Sequence, residues 1–389
     1  MSYEELIKKY ETPFYAFDFQ VLRERIDYIK NSLPQNTALC YAVKANTFII
    51  SEAQKHVERL EVCSEGEFEV CEALGVDMEK IVLSGVYKTP NFIRRVIEQY
   101  DNLGIYTVES ISQYELLKNL AKEFDKKINV LVRLNSKNQF GVTEEDFRQI
   151  LEEKNERISL KGIQYFSTTQ KSSFKKLKRE FDYLSQLINR IEEEYSIKIH
   201  ELEYGTGSPV CYFKEESFDE EEYFEILSQL LSSLPTDIKI TLEMGRSIAA
   251  SCGTYYSKVV DKKSNKAGNF AIIDGGMNHL VYFGQSMAMK HPYFEMYPHR
   301  ADDNAELWNI CGSLCTVNDI LVKSLPVTNL DTGDILIFKN TGAYCMCEGI
   351  SLFLSRELPA VVIDDNGNSQ LVRNHFKTSQ LNKPNFNLK

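Results

Sequence analysis

The stretch "CGSLCTVND", Cys311 to Asp319, sets two thiols four residues apart beside a glycine. Four readings are open: a metal clip, a disulfide, a pair of small packing residues, or one reactive thiol with a bystander. Zinc sites usually present short-spaced Cys/His pairs twice, and the nearest histidines, His291 and His299, form no compact ligand pattern, so no metal is expected. The nine cysteines of the chain follow no export signal, and a disulfide framework is not expected in a reducing compartment. Packing and chemistry remain. A second reactive candidate, Lys44, closes the apolar run of "YAVKAN". Such a lysine can simply snorkel or pair with an acid, but burial lowers the pKa of an amine and makes it a nucleophile toward an aldehyde.

Two further motifs lie at the ends of similar runs. In "GTG", 205–207, small residues let an anion such as a phosphate approach backbone N–H groups. In "EMGR", 243–246, Arg246 adds a fixed positive charge, and Glu243 is a carboxylate able to hold a pyridine nitrogen. A lysine, a phosphate cradle and a carboxylate together form the set that pyridoxal phosphate requires.

These groups need a scaffold that gathers strand ends. Eight short apolar runs alternate with helical patterns: 38–43, 59–63, 80–84, 103–108, 128–134, 160–166, 200–204 and 238–243. Between 172 and 195, Phe174, Leu177, Phe181, Leu184, Leu187 and Ile188 recur at helical spacing, giving one apolar face. Eight β/α repeats predict a (β/α)8 TIM-like barrel, with a doubly wound sheet as runner-up. Catalytic groups should then collect just past the strand C-termini, where Lys44, "CSEGE", "SGVYK", Arg133, "STTQ", "GTG" and "EMGR" all fall. After residue 250 the texture changes to strands broken by Asn, Gly and Asp turns, predicting a C-terminal all-β domain. The expected division is a barrel over 31–250, a β domain over 251–389, and a segment 1–30 that packs with the β domain. The tail from 376 to 389 is expected to fray.

Composition excludes several classes. The chain has 389 residues, 43% of them apolar, enough for a large core, and its net charge of −11 comes with no basic stripe, so nucleic acid is an unexpected partner. No apolar run approaches the roughly 20 residues that span a bilayer, and no leader-like segment opens the chain, so a cytoplasmic protein is expected.

Taken in order, "TPFYAFD", "YAVKAN", "SEGE", "FG", "EMGR", "IDGGMN", "CGSLCTVND" and "TGAY" resemble the fold-type III pyridoxal-phosphate decarboxylases, the diaminopimelate and ornithine decarboxylase family, over nearly the whole chain. The resemblance implies a barrel carrying the cofactor on Lys44 as a Schiff base, with Glu243 facing the pyridine nitrogen. Thr169, Gly207, Arg246 and Tyr344 would surround the phosphate, and Gly245 would belong to the same cofactor shell. It also implies a homodimer in which Cys315 serves the neighbouring subunit's cofactor as the acid that protonates Cα after CO2 leaves. Cys311 has no family role and is expected in the core.

Three departures stand out. Phe166 occupies the place where the family often stacks a histidine on the cofactor, and a phenyl ring can stack as well. Met244 replaces a proline in the Glu-x-Gly-Arg motif. Thr316 stands directly after the catalytic cysteine, where an acid commonly pairs with the distal charge of a dibasic substrate. With Asp319, Glu348 and Arg356 as further substrate-side residues, these departures point to an α-decarboxylase of a conjugated amino acid, such as a carrier-protein-tethered glutamyl group or a siderophore intermediate. A meso-diaminopimelate or other dibasic decarboxylase is the alternative. An amino-acid racemase is disfavoured because its usual segment after the lysine is absent. An inactive regulatory homologue is disfavoured because Lys44, Cys315 and the phosphate set are all present.

Overall fold

The structure is a computed structural model that describes residues 1–153, 155–300 and 304–384. The chain divides into two compact units, one of Arg25–Pro209 and Phe218–Ile248, the other of Met1–Glu24, Val210–Ser217 and Ala249–Lys389. The division departs from the expected one at the N-terminal boundary, where residues 25–30 fall with the barrel, and in one internal segment. Val210–Ser217, counted with the barrel, joins the sheet unit, where the Tyr212 ring meets that of Tyr282 and Phe213 bridges Pro292.

After β1 (Phe14–Asp18), which belongs to the sheet unit, the eight expected runs form β2 (Thr37–Ala42), β3 (Arg59–Val62), β4 (Ile81–Leu83), β5 (Ile105–Val108), β6 (Ile128–Arg133), β7 (Ile158–Phe166), β8 (Glu201–Gly205) and β9 (Lys239–Met244). All pair in parallel and close into one barrel through β9 and β2. Parallel strands covered on both faces read as continuous apolar runs rather than alternating ones, which is why the sequence shows them so clearly.

The crossover helices start where a short polar side chain can accept a free backbone N–H. Ser64, Thr89, Ser110, Thr143, Ser173 and Asp219 each cap one, and Thr89 is followed by Pro90 in the first turn. The helix Phe174–Tyr195 buries Leu177, Phe181, Leu184, Leu187, Ile188 and Ile191, the face its spacing predicts.

The sheet unit contains β10 (Gly253–Asn265), β11 (Gly268–Ile273), β12 (Phe294–Tyr297), β13 (Glu306–Cys311), β14 (Ile320–Val327), β15 (Ile335–Phe338), β16 (Ala360–Asp365) and β17 (Asn368–Arg373). They run in the order β14-β13-β11-β10-β1-β16-β17, with β15 pairing β10 and β12. β1 lies antiparallel to β10 and parallel to β16. Two of these strands, β12 and β13, have no counterpart in the sequence reading, because charged, aromatic and asparagine residues break their apolar pattern. The tail is better tied than expected through Asn382: Thr378 is fully buried, and Asn382 donates to the Leu352 carbonyl at 2.7 Å. The last part of the expected frayed tail, 385–389, lies outside the described residues.

Candidate active site

The chain leaves β2 in a single 3-10 turn, Val43–Ala45, which carries Lys44. The amine is ion-paired with Glu61 of β3 and with Glu243 of β9, the latter at 3.0 Å, and lies 3.9 Å from the Cys63 thiol. The two carboxyls are buried and also hydrogen-bond each other, so they do not ionise together. Burial, the largest single influence, opposes ionisation of Glu61, but the Lys44 charge together with hydrogen bonds from Glu243 and Lys44 holds the carboxyl below its ordinary range. Glu243 takes the opposite state: burial and the adjacent Glu61 charge push its pKa up to about 7.

That shift has a consequence for stability. Between about 4.5 and 7 the folded protein keeps a proton on Glu243 that the unfolded chain releases. Through Glu243 alone, stability of the cofactor-free protein should therefore fall as pH rises through this window, by on the order of 3 kcal/mol. Urea denaturation across the window should show a clearly smaller fall in Glu243→Gln than in the native sequence, the remainder coming from the buried Glu203.

A second layer lies deeper in the barrel. Gln164 of β7 donates from Nε2 to Glu203 of β8 at 3.0 Å and to Glu243 at 3.2 Å. Glu203 is fully buried, and burial followed by the Glu243 and Glu61 charges holds its carboxyl protonated well above the ordinary range. On the other side Arg133 of β6 pairs with Glu109 at 3.3 Å and lies 4.7 Å from the Phe140 ring. Lys88 is buried against the Gly85 carbonyl and the Gln113 amide, and burial lowers its pKa to about 8. The sequence reading missed Glu61, Gln164 and Glu203 as site residues. The available signal was a polar side chain in the middle of an apolar run, as in "RLEVC", "GIQYF" and "HELEY". In a strand covered by helices outside, such a side chain is accommodated only by turning into the barrel.

The other expected cofactor residues of the barrel end their strands side by side. Gly207 adopts φ +57°, and a Cβ there would lie 2.2 Å from the Thr168 carbonyl oxygen, so the turn admits no side chain. The Gly207 carbonyl accepts from Lys171 N at 2.7 Å, which joins this turn to the loop of Thr168 and Thr169 after β7. The Phe166 ring lies on Gly205, where an added Cβ would meet it at 2.3 Å. Gly245 links β9 to Arg246, which is 7% exposed and opens the following helical turn.

This set suits pyridoxal phosphate: an amine at a strand end, a carboxyl for a ring nitrogen, an aromatic face, and a glycine turn near an arginine. Buried polar atoms without hydrogen-bond partners among the described residues include Gln164 Oε1 on β7, which carries Phe166, and Ser84 Oγ and Glu109 Oε2 just past β4 and β5 of the same barrel, and these fit a polar ligand.

The remaining expected residues belong to the sheet unit. Cys311 ends β13, where burial raises its thiol pKa, in keeping with a packing role. Cys315 and Thr316 lie on the exposed turn that follows. Asp319 is not available to a substrate as expected. It is 2% exposed, and its carboxylate accepts from Met277 N and Leu314 N, both at 2.8 Å. It packs so tightly on the backbone of Gly276 and Gly312 that a Cβ on either would collide with it, which explains the glycines of "IDGGMN" and "CGSLC". Asp319 thus shapes the thiol turn from within. Arg356 reaches the same turn from outside, donating to the Ser313 carbonyl at 2.9 Å. Tyr344 has φ +65°, and its carbonyl accepts from Glu348 N at 3.1 Å, so these two share one turn.

Comparison with known proteins places the chain in a family. Over 365 residues the chain is 27% identical to a diaminopimelate decarboxylase of Campylobacter jejuni, covering 88% of this chain and 89% of the relative. Over 405 residues it is 27% identical to an L-glutamyl-(BtrI acyl-carrier protein) decarboxylase of Niallia circulans, covering 95% and 92%. A crystal structure of diaminopimelate decarboxylase from M. jannaschii in co-complex with L-lysine superposes with a TM-score of 0.85 at 23% identity, covering 97% of this chain and 92% of that one, and so shares its fold. Residues 20–250, more than half of the chain, match the family model described as pyridoxal-dependent decarboxylase, pyridoxal binding domain, and the chain therefore belongs to the pyridoxal-dependent decarboxylases.

Proposed function

We propose that this amino acid decarboxylase acts on a conjugated amino acid, such as a carrier-tethered glutamyl group, rather than on a free dibasic one. The observation that carries the reading is the turn after Cys315. Its first residue is the neutral Thr316, and Asp319, the acid within it, is buried and already holds two backbone amides. A distal ammonium would find no counter-charge on this turn, whereas Arg356 beside it favours an acyl or anionic group. The relative named for a carrier-linked glutamyl substrate supports the same reading. Several relatives named diaminopimelate decarboxylase favour the second reading, a dibasic substrate.

Lys44, Glu243, Phe166, Gly245 and the set of Thr169, Gly207, Arg246 and Tyr344 are the residues that would hold the cofactor. When bound, pyridoxal phosphate supplies the electron sink that lets an α-carboxylate leave as CO2. Glu61 keeps a proton at the Lys44 amine when that amine is free. Cys315 Sγ donates a proton to the substrate Cα once the carboxylate has left. A homodimer, with the Cys315 turn of one subunit serving the other's barrel, is part of this proposal.

A mass-spectrometric screen of free diaminopimelate, lysine, ornithine and glutamate beside acylated and carrier-linked glutamate tests the substrate reading. Conjugated substrates should exceed free dibasic ones in kcat/KM by about 100-fold or more. Fast CO2 release from a free dibasic amino acid would sink it.

A further inference from the structure

The barrel interior holds more carboxyl groups than it has cations placed to serve them, and one neutral side chain mediates between two of them. Glu243 receives Lys44 at 3.0 Å and Gln164 at 3.2 Å, while Glu203 receives Gln164 at 3.0 Å and has Arg59 no nearer than 4.0 Å from its other oxygen. Both contacts from Gln164 come from the same nitrogen. Its Oε1 has no hydrogen-bond partner among the described residues. Turning the amide over would aim that oxygen at two carboxyl oxygens, which is tolerable only if both carry protons. The amide orientation and the number of protons on the pair are therefore linked.

We propose that Gln164 is a positioning residue for Glu243: Glu203 pins its amide from the far side, so that an N–H stays aimed at the carboxyl that would face the cofactor ring. The inference rests on the cofactor assignment of the family and goes beyond the substrate reading. Other charges bear on the pair from every side. Lys44 after β2, Glu61 on β3 and Arg133 on β6 act on Glu243, while Arg59 and Glu201 act on Glu203, and the Cys40 and Cys63 thiols adjoin this network. Among these, Lys44 is the cation in contact with Glu243, and its amine would be committed to the cofactor when that is bound. Gln164 would then be the constant donor to Glu243. Glu203, with fewer partners, is the carboxyl that retains a proton, and in either protonation state its Oε1 accepts from the amide.

The test is the 15N resonance of ring-labelled cofactor in the purified loaded enzyme at neutral pH. In the native sequence the ring nitrogen should appear protonated, opposite an ionised Glu243. In Gln164→Leu, and equally in Gln164→Met should the leucine variant fold poorly, the carboxyl loses a donor and becomes more basic. The proton then shifts toward Glu243, by about tenfold in the ratio of the two positions, and the resonance moves toward the unprotonated value. Glu203→Gln keeps an acceptor for the amide and should leave the resonance near the native one, which a general loosening of the barrel would not. An unmoved resonance in both Gln164 variants overturns the proposal alone. A native protein that carries no cofactor overturns it together with the cofactor assignment.

Discussion

Lys44→Ala is expected to reduce decarboxylation by at least about 1,000-fold, since the variant loses the only amine positioned between Glu61 and Glu243 among the described residues. The structural consequence of the same change separates this effect from simple unfolding. Glu61 is 1% exposed and owes its ionised state to the lysine, which is itself partly open to solvent. Without that charge, burial raises the Glu61 pKa, and the folded protein must either hold an unpaired buried charge or take up a proton. In the native sequence a depressed Glu61 contributes stability that is present above its unfolded pKa near 4.5 and lost as pH falls through the lower folded value. The variant loses this contribution. Thermal melts of the two proteins should therefore lie far apart at pH 8 and converge toward pH 4. A gap that is the same at every pH, or turnover near the native rate, would refute the assignment of Lys44 as a charged partner of Glu61 and as the reactive amine.

Cys315→Ala should lower kcat by about 100- to 10,000-fold, the usual range for losing a positioned proton donor, with KM changed little. Because Cys315 is exposed, the substitution should leave folding stability within about 0.5 kcal/mol. Cys311→Ala provides the contrast. That thiol is buried at the end of β13, so its removal should cost stability, on the order of 1 kcal/mol, and leave kcat near native. Steady-state kinetics with the substrate found by the screen, set beside thermal melts of both variants, distinguishes the two thiols. Full kcat in Cys315→Ala would remove the proton-donor role, and a large loss of kcat in Cys311→Ala would exchange the roles of the pair.

The eight barrel strands were legible in the sequence because a parallel strand buried on both faces must be largely apolar along its three to nine residues. Lys44, Glu243, Arg246 and the "GTG" turn were legible for a related reason: each breaks an apolar run at its end, and a barrel gathers strand ends. The resemblance of the motif order to a known family pointed to pyridoxal phosphate on the same residues. Strands β12 and β13 were hidden by their charged, aromatic and polar side chains.

What the sequence could not settle was partnership. "CGSLCTVND" presents Asp319 as one more acid near a catalytic thiol. Only the fold shows its carboxylate turned inward onto Met277 and Leu314, with Gly276 and Gly312 bare beneath it. Glu61 and Glu243 are likewise two glutamates 182 positions apart on different strands, chemically alike when written as letters. Barrel closure sets them on either side of one amine, and burial then allows one negative charge where the sequence shows two. The residue types and the strand ends that carry them belong to the sequence. The ionisation states belong to the tertiary structure, because a proton's position depends on distances between groups that the chain order does not contain.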